Sequence, residues 1–191
     1  MAWITFNEII DIVIMTLAIG YIFSSFIKRE PSGEYDPLKY YEKNPIIENI
    51  KFGAMIAAPA VVLHELAHKF VAMGFGAQAT LHAPYEMYAI IILLRLINFP
   101  IMFFVGGYVE HTPLPALQSS IVSIAGPLVN LFLWIAPILA VRYKLVSRKH
   151  YNILVPMGKL NMFLFIFNML PIPGFDGYNV FYGLWQAIIA L

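Results

Sequence analysis

The sequence predicts an all-α polytopic membrane protein, a bundle of about four to six transmembrane helices, on three observations. Sixty per cent of the 191 residues are apolar and only 12 per cent are charged, about half the ~25 per cent of an ordinary soluble domain. Mean hydropathy is +0.74. Apolar windows of membrane-crossing length recur, separated by charge, proline and glycine. Such apolarity excludes disorder, and a net charge of +1 with no long basic run argues against nucleic-acid binding. At roughly 150 residues per domain, 1–191 is one unit. Cysteine is absent, so any metal must be held by nitrogen and oxygen ligands.

The first window, residues 8–27, stops at Lys28 and Arg29. It is long and acidic at its start, and no small-residue cleavage site follows, so it reads as a retained helix. Glu8 and Asp11 suit the positive end of that helix and are expected at the interface. Residues 28–51 form a polar stretch with Pro31, Gly33, Pro37 and Pro45, an expected interfacial loop. Residues 52–73 hold Pro59 and the run His64-Glu65-Leu66-Ala67-His68.

Residues 87–105 can enter the bilayer but carry Arg95, Asn98 and Pro100 and end at Gly106-Gly107. They either cross or turn back as a re-entrant hairpin or membrane-associated strand around 87–110, Arg95 then reaching water. Lys28, Arg29, Lys39, Lys43 and Lys51 share a side with Arg142, Lys144, Arg148 and Lys149 only if the segment turns back. Residues 117–141 and 152–170 are further helices, the latter broken at Pro171-Ile172-Pro173-Gly174. Asp176-Gly177 and a short apolar tail over 180–191 follow. His82, His111 and His150 read as surface residues.

His64 and His68, four apart on one helical face, can point both imidazoles at one ion, with Glu65 in reach of a water held there. Three ionisable groups together in an apolar helix need a shared reason, because each alone is costly in a bilayer. A catalytic zinc keeps three protein ligands and an open position. Several carboxylates are available as the third ligand, and Asp176 stands apart because it follows a proline-broken helix end amid apolar sequence. Ser119, Ser123, Gly126 and Asn130 recur at helical spacing as a small, polar face, which helix packing alone also explains.

His64-Glu-Leu-Ala-His68, Ala125-Gly126-Pro127-x-x-Asn130 and Asn168-x-x-Pro171-x-Pro173-x-x-Asp176-Gly177 together resemble the site-2 protease family of intramembrane zinc metalloproteases. The motifs stand in the family's order and cover roughly 52–180, the expected catalytic core. The resemblance implies one Zn2+ per chain on His64, His68 and Asp176, with Glu65 as general base. It places Asn130 at the substrate backbone or developing oxyanion, and Gly107, within Gly106-Gly107-Tyr108-Val109, where a membrane-associated strand meets substrate. Asn168 either binds substrate, caps the broken helix or steadies Asp176.

The expected function is therefore an intramembrane zinc endopeptidase. It would be multi-pass in the cell membrane, embedded in the lipid bilayer, and would act on membrane proteins with a transmembrane helix. The alternative is a non-proteolytic, metal-binding or transporter-like membrane protein, which needs the histidines but not Glu65.

Overall fold

Thr5 starts the first helix, α1 (Phe6–Phe23), with a capping box: Glu8 returns its carboxylate to the Thr5 backbone N–H at 2.7 Å. The computed structural model describes residues 3–24, 45–97, 99 and 106–189. Beyond α1 the order is α2 (Pro45–Gly74), β1 (Ala79–His82), α3 (Tyr85–Leu96), β2 (Tyr108–His111), α4 (Ala116–Arg142), a short 3-10 turn (Arg148–His150), α5 (Tyr151–Asn168) and α6 (Asp176–Ile189). Three described helices, α1, α2 and α4, are long and apolar enough to cross a membrane. The distribution of side chains is that of a membrane protein. Glu8, Lys69, Asn130 and Asn161 are buried, whereas Leu17, Phe132, Trp185 and Ile188 face outward.

α2 begins at Pro45, so residues 45–51, expected in the polar loop, are the first two turns of the metal-motif helix. Proline suits that first position, where no helical N–H bond is needed. Residues 28–44 of the expected loop lie outside the described residues. α1 packs on α2 with backbones almost touching at two glycines: a Cβ at Gly20 would stand 2.7 Å from Ala54 Cβ, and one at Gly53 would stand 2.8 Å from Gly20 O. Met15, Ile19, Ala57, Val61 and Leu81 fill the core around this seam. α4 lies against α2, α5 and α6.

The doubtful third window is settled by the sheet. β1 and β2 are antiparallel, with His82 opposite Tyr108, so the chain leaves β1 and comes back to the residue's own partner. α3 has 12 residues, about 18 Å of helix against a hydrocarbon core of about 30 Å. The segment turns back rather than crossing, the condition under which the two Lys/Arg-rich loops share a side. Asn98, Pro100 and residues 101–105 lie outside the described residues.

The structure adds to three local expectations. Glu8 and Asp11, near the start of α1, are buried because α1 is roofed by the sheet and α3: Glu8 pairs with Lys69, and Asp11 accepts the Tyr85 hydroxyl. Arg95 does not reach for water; its guanidinium donates to Ser24 Oγ at 2.9 Å and lies 3.9 Å above the Tyr21 ring. The expected tail is the body of α6, which starts at Asp176.

Candidate metal centre

α2 carries His64, Glu65 and His68 into the interior, where all three are buried. Asp176 arrives from the opposite side as the first residue of α6. The turn before it has the sequence Pro171-Ile172-Pro173-Gly174, and Gly174 holds a φ of +97°, which a residue with a Cβ adopts poorly. At Gly177 a Cβ would stand 2.7 Å from Leu170 O, so only glycine lets α6 begin this close to the end of α5. The helix start also favours the Asp176 carboxylate through the backbone dipole.

The three side chains converge. His64 Nε2 lies 3.0 Å from His68 Nε2 and 3.1 Å from Asp176 Oδ2, and His68 Nε2 lies 3.4 Å from Asp176 Oδ1. Ligands about 2.0–2.2 Å from a tetrahedral zinc stand roughly 3.3–3.5 Å apart, so these donors need open by only a few tenths of an ångström.

The outer nitrogens explain why the inner ones face one another. His68 Nδ1 donates to the Val122 carbonyl at 2.7 Å, an acceptor that fixes the proton on Nδ1. His64 Nδ1 lies 2.6 Å from Asn130 Oδ1, and the amide's other end donates to Ala60 O at 2.9 Å and Asn161 Oδ1 at 3.0 Å. The nitrogen end must face those acceptors, so the oxygen faces His64 and takes its Nδ1 proton. Both Nε2 lone pairs and a carboxylate then point at one place, a donor set that fits a cation and repels itself without one. Gly126 keeps that place open. A Cβ there would stand 2.6 Å from His64 Nε2 and closer still to His68 Nε2.

Around the donors is a cavity of about 340 Å³, lined by Val61, Glu65, Ser123, Asn168, Asp176 and Asn179 on the helices and by Gly107, Val109 and His111 on the sheet side. Glu65 lies under Gly107, where a Cβ would stand 3.0 Å from its Cγ. Gly106 is held by the hydroxyl of the buried Tyr88, which donates to its carbonyl.

Among the described residues, the edge of β2 away from β1 has no backbone partner. Thr112 N–H donates to Gln78 O and Leu81 N–H turns away to Glu8, so the mutually bonded pairs are Thr80 with Glu110 and His82 with Tyr108. Gly107, Val109 and His111 therefore direct their backbone groups away from β1.

Asn130, expected at the substrate, lines the cavity. It is fully buried and both its ends are engaged by Ala60, Asn161 and His64, so in this structure its amide orients a candidate ligand. Asn168 and Asn179 line the cavity. The cap of α5 is the Met169 backbone rather than the Asn168 side chain. Lys69, Tyr88, Asn161 and Asn179 were not singled out from the sequence. The available signal was polarity within an apolar helix at Lys69 and Asn161. His150 is exposed, His111 is half-buried and lines the cavity, and His82 stacks on Tyr108, with ring centroids 5.4 Å apart.

No family model and no solved structure matches the chain. Curated relatives do. A Methanocaldococcus jannaschii protein named as a candidate zinc metalloprotease is 32% identical over 177 residues, 91% of this chain and 83% of the relative. Rip2 of Mycolicibacterium smegmatis, also named as a candidate zinc metalloprotease, is 31% identical over 140 residues, 63% of this chain and 52% of the relative. A second M. jannaschii protein, named zinc metalloprotease, is 27% identical over 118 residues, 62% of this chain and 30% of the relative. The chain thus spans most of the first relative, about half of the second and a third of the last.

Proposed function

Because the chain belongs to the site-2 protease family of zinc metalloproteases, we propose that it is a multi-pass endopeptidase of the cell membrane. It hydrolyses peptide bonds within or near the transmembrane segments of other membrane proteins. The observation that carries this reading is the meeting of three side chains able to hold a metal and a buried carboxylate at one cavity, beside a strand edge with no backbone partner among the described residues. The zinc ligands are His64, His68 and Asp176. When bound, zinc supplies a Lewis acid for the scissile carbonyl and lowers the pKa of a water it holds toward about 7.

The chain's own residues do the rest. Glu65 is the general base, taking a proton from the attacking water and passing it to the leaving nitrogen. Its place beside both histidines on the helix puts the carboxylate at the donors, and burial keeps competing water away. A substrate helix shields its peptide bonds with its own hydrogen bonds, so it must unwind before attack. The free edge of β2 at Gly107, Val109 and His111 receives the unwound stretch as an added strand and satisfies its backbone groups in an apolar setting. Asn168 and Asn179, which also line the cavity, offer amide hydrogens to a substrate carbonyl.

The test is Glu65→Gln, assayed for zinc content and for cleavage of a reporter with a transmembrane helix. Zinc retained with cleavage lost by about 10²-fold or more supports the reading. A zinc-loaded wild type that cleaves no transmembrane reporter leaves a metal-binding protein without hydrolysis.

A further inference from the structure

Asn161 lies on α5, opposite the metal motif, and touches none of the three candidate ligands. It is fully buried in a helix whose neighbouring residues Met162 and Phe163 face outward. A buried amide in a membrane bundle is retained for a reason, because leaving its groups unpaired costs more than replacing it with an apolar side chain of the same shape.

Its two ends are distinguishable. Asn161 Nδ2 donates to the Met157 carbonyl at 2.8 Å, one turn back on α5, so Oδ1 must face the other way. There it accepts from Asn130 Nδ2 at 3.0 Å. With its nitrogen drawn to Asn161 Oδ1 and Ala60 O, Asn130 presents oxygen to His64. Reversing Asn130 would place an NH2 group against His64 Nδ1, driving the imidazole proton to Nε2, the nitrogen that faces His68 and Asp176. A protonated Nε2 cannot bind metal.

We propose that Asn161 is a positioning residue for the metal centre: together with the Ala60 carbonyl it holds Asn130 in the direction that sets the tautomer of His64. The direction of one amide on α5 is passed through one on α4 to an imidazole on α2. The inference rests on His64 being a zinc ligand. It extends that reading to a residue with no contact to metal or substrate, and it accounts for why Asn130 is committed to the protein.

The experiment compares wild type, Asn161→Leu and Asn161→Asp as purified protein in detergent. Two quantities are read: zinc affinity by chelator competition, and the 15N spectrum of histidine-labelled, zinc-free protein. Asn161→Asp keeps an oxygen toward Asn130, and Asn161→Leu does not. The expected result is zinc affinity about 10- to 100-fold weaker in Asn161→Leu, with a new population of His64 protonated at Nε2. Asn161→Asp should stay closer to wild type in both readouts. Equal losses in both variants, or none in either, overturn the inference. If Asn161→Leu does not fold, as judged by circular dichroism, Asn161→Ala removes the same acceptor with less bulk and is read the same way. Failure of wild type to bind zinc, or zinc binding unaffected by His64→Ala, would instead defeat the ligand assignment beneath it.

Discussion

Glu8 accepts the backbone N–H of Leu81 at 2.8 Å, so a carboxylate from α1 closes the outer edge of β1. The same carboxylate pairs with Lys69, the residue after the metal-motif histidine His68, and caps α1 through Thr5. One buried acid thereby ties α1, α2 and the sheet together. It also occupies the outer edge of β1, whereas among the described residues the outer edge of β2 has no backbone partner.

Glu8→Ala should destabilise the protein by about 3–5 kcal/mol, because Lys69 would be left as an uncompensated buried charge. Thermal unfolding in detergent checks this. The double replacement Glu8→Leu with Lys69→Met removes both charges and should recover much of the loss, whereas two independent sites would give additive losses.

Gly126→Ala should abolish stoichiometric zinc binding while leaving helical content intact, since the added methyl group would occupy the space between the His64 and His68 nitrogens. Metal analysis with circular dichroism reads both. Gly158→Ala is the control: its Cβ would stand 3.5 Å from Trp134 O, an ordinary contact, and zinc content should not change.

Val109→Pro removes an N–H that points away from β1 at a residue lining the cavity. Cleavage of a transmembrane reporter should fall at least tenfold with zinc content unchanged. Glu110→Pro, which strikes a residue bonded to Thr80 across the sheet, should lower thermal stability as well. Equal cleavage by Val109→Pro and wild type would remove β2 as the substrate's docking edge.

The parts legible in the sequence were those fixed by local spacing. His64 and His68 face one way because four residues make about one helical turn, and α1, α2 and α4 are visible as apolar runs. Asp176 became prominent only through motif resemblance, since its 108-residue separation from His68 carries no periodic signal. β1 was missed because four residues ending in His82 show too short an alternation to register. The Glu8 to Lys69 pair was missed because an acid near a helix start looks interfacial until a distant lysine and strand roof it over. Asn130 was legible as part of a small, polar helix face, but the direction of its amide was not, because it is set by Ala60 and Asn161 on other helices.

If His64, His68 and Asp176 jointly hold one zinc ion, each of the three must be needed for it. Zinc stoichiometry of folded wild type and of His64→Ala, His68→Ala and Asp176→Ala tests it most directly. One zinc per wild-type chain and a marked loss in each single variant is the predicted result. A full equivalent of zinc retained in any of the three would contradict it.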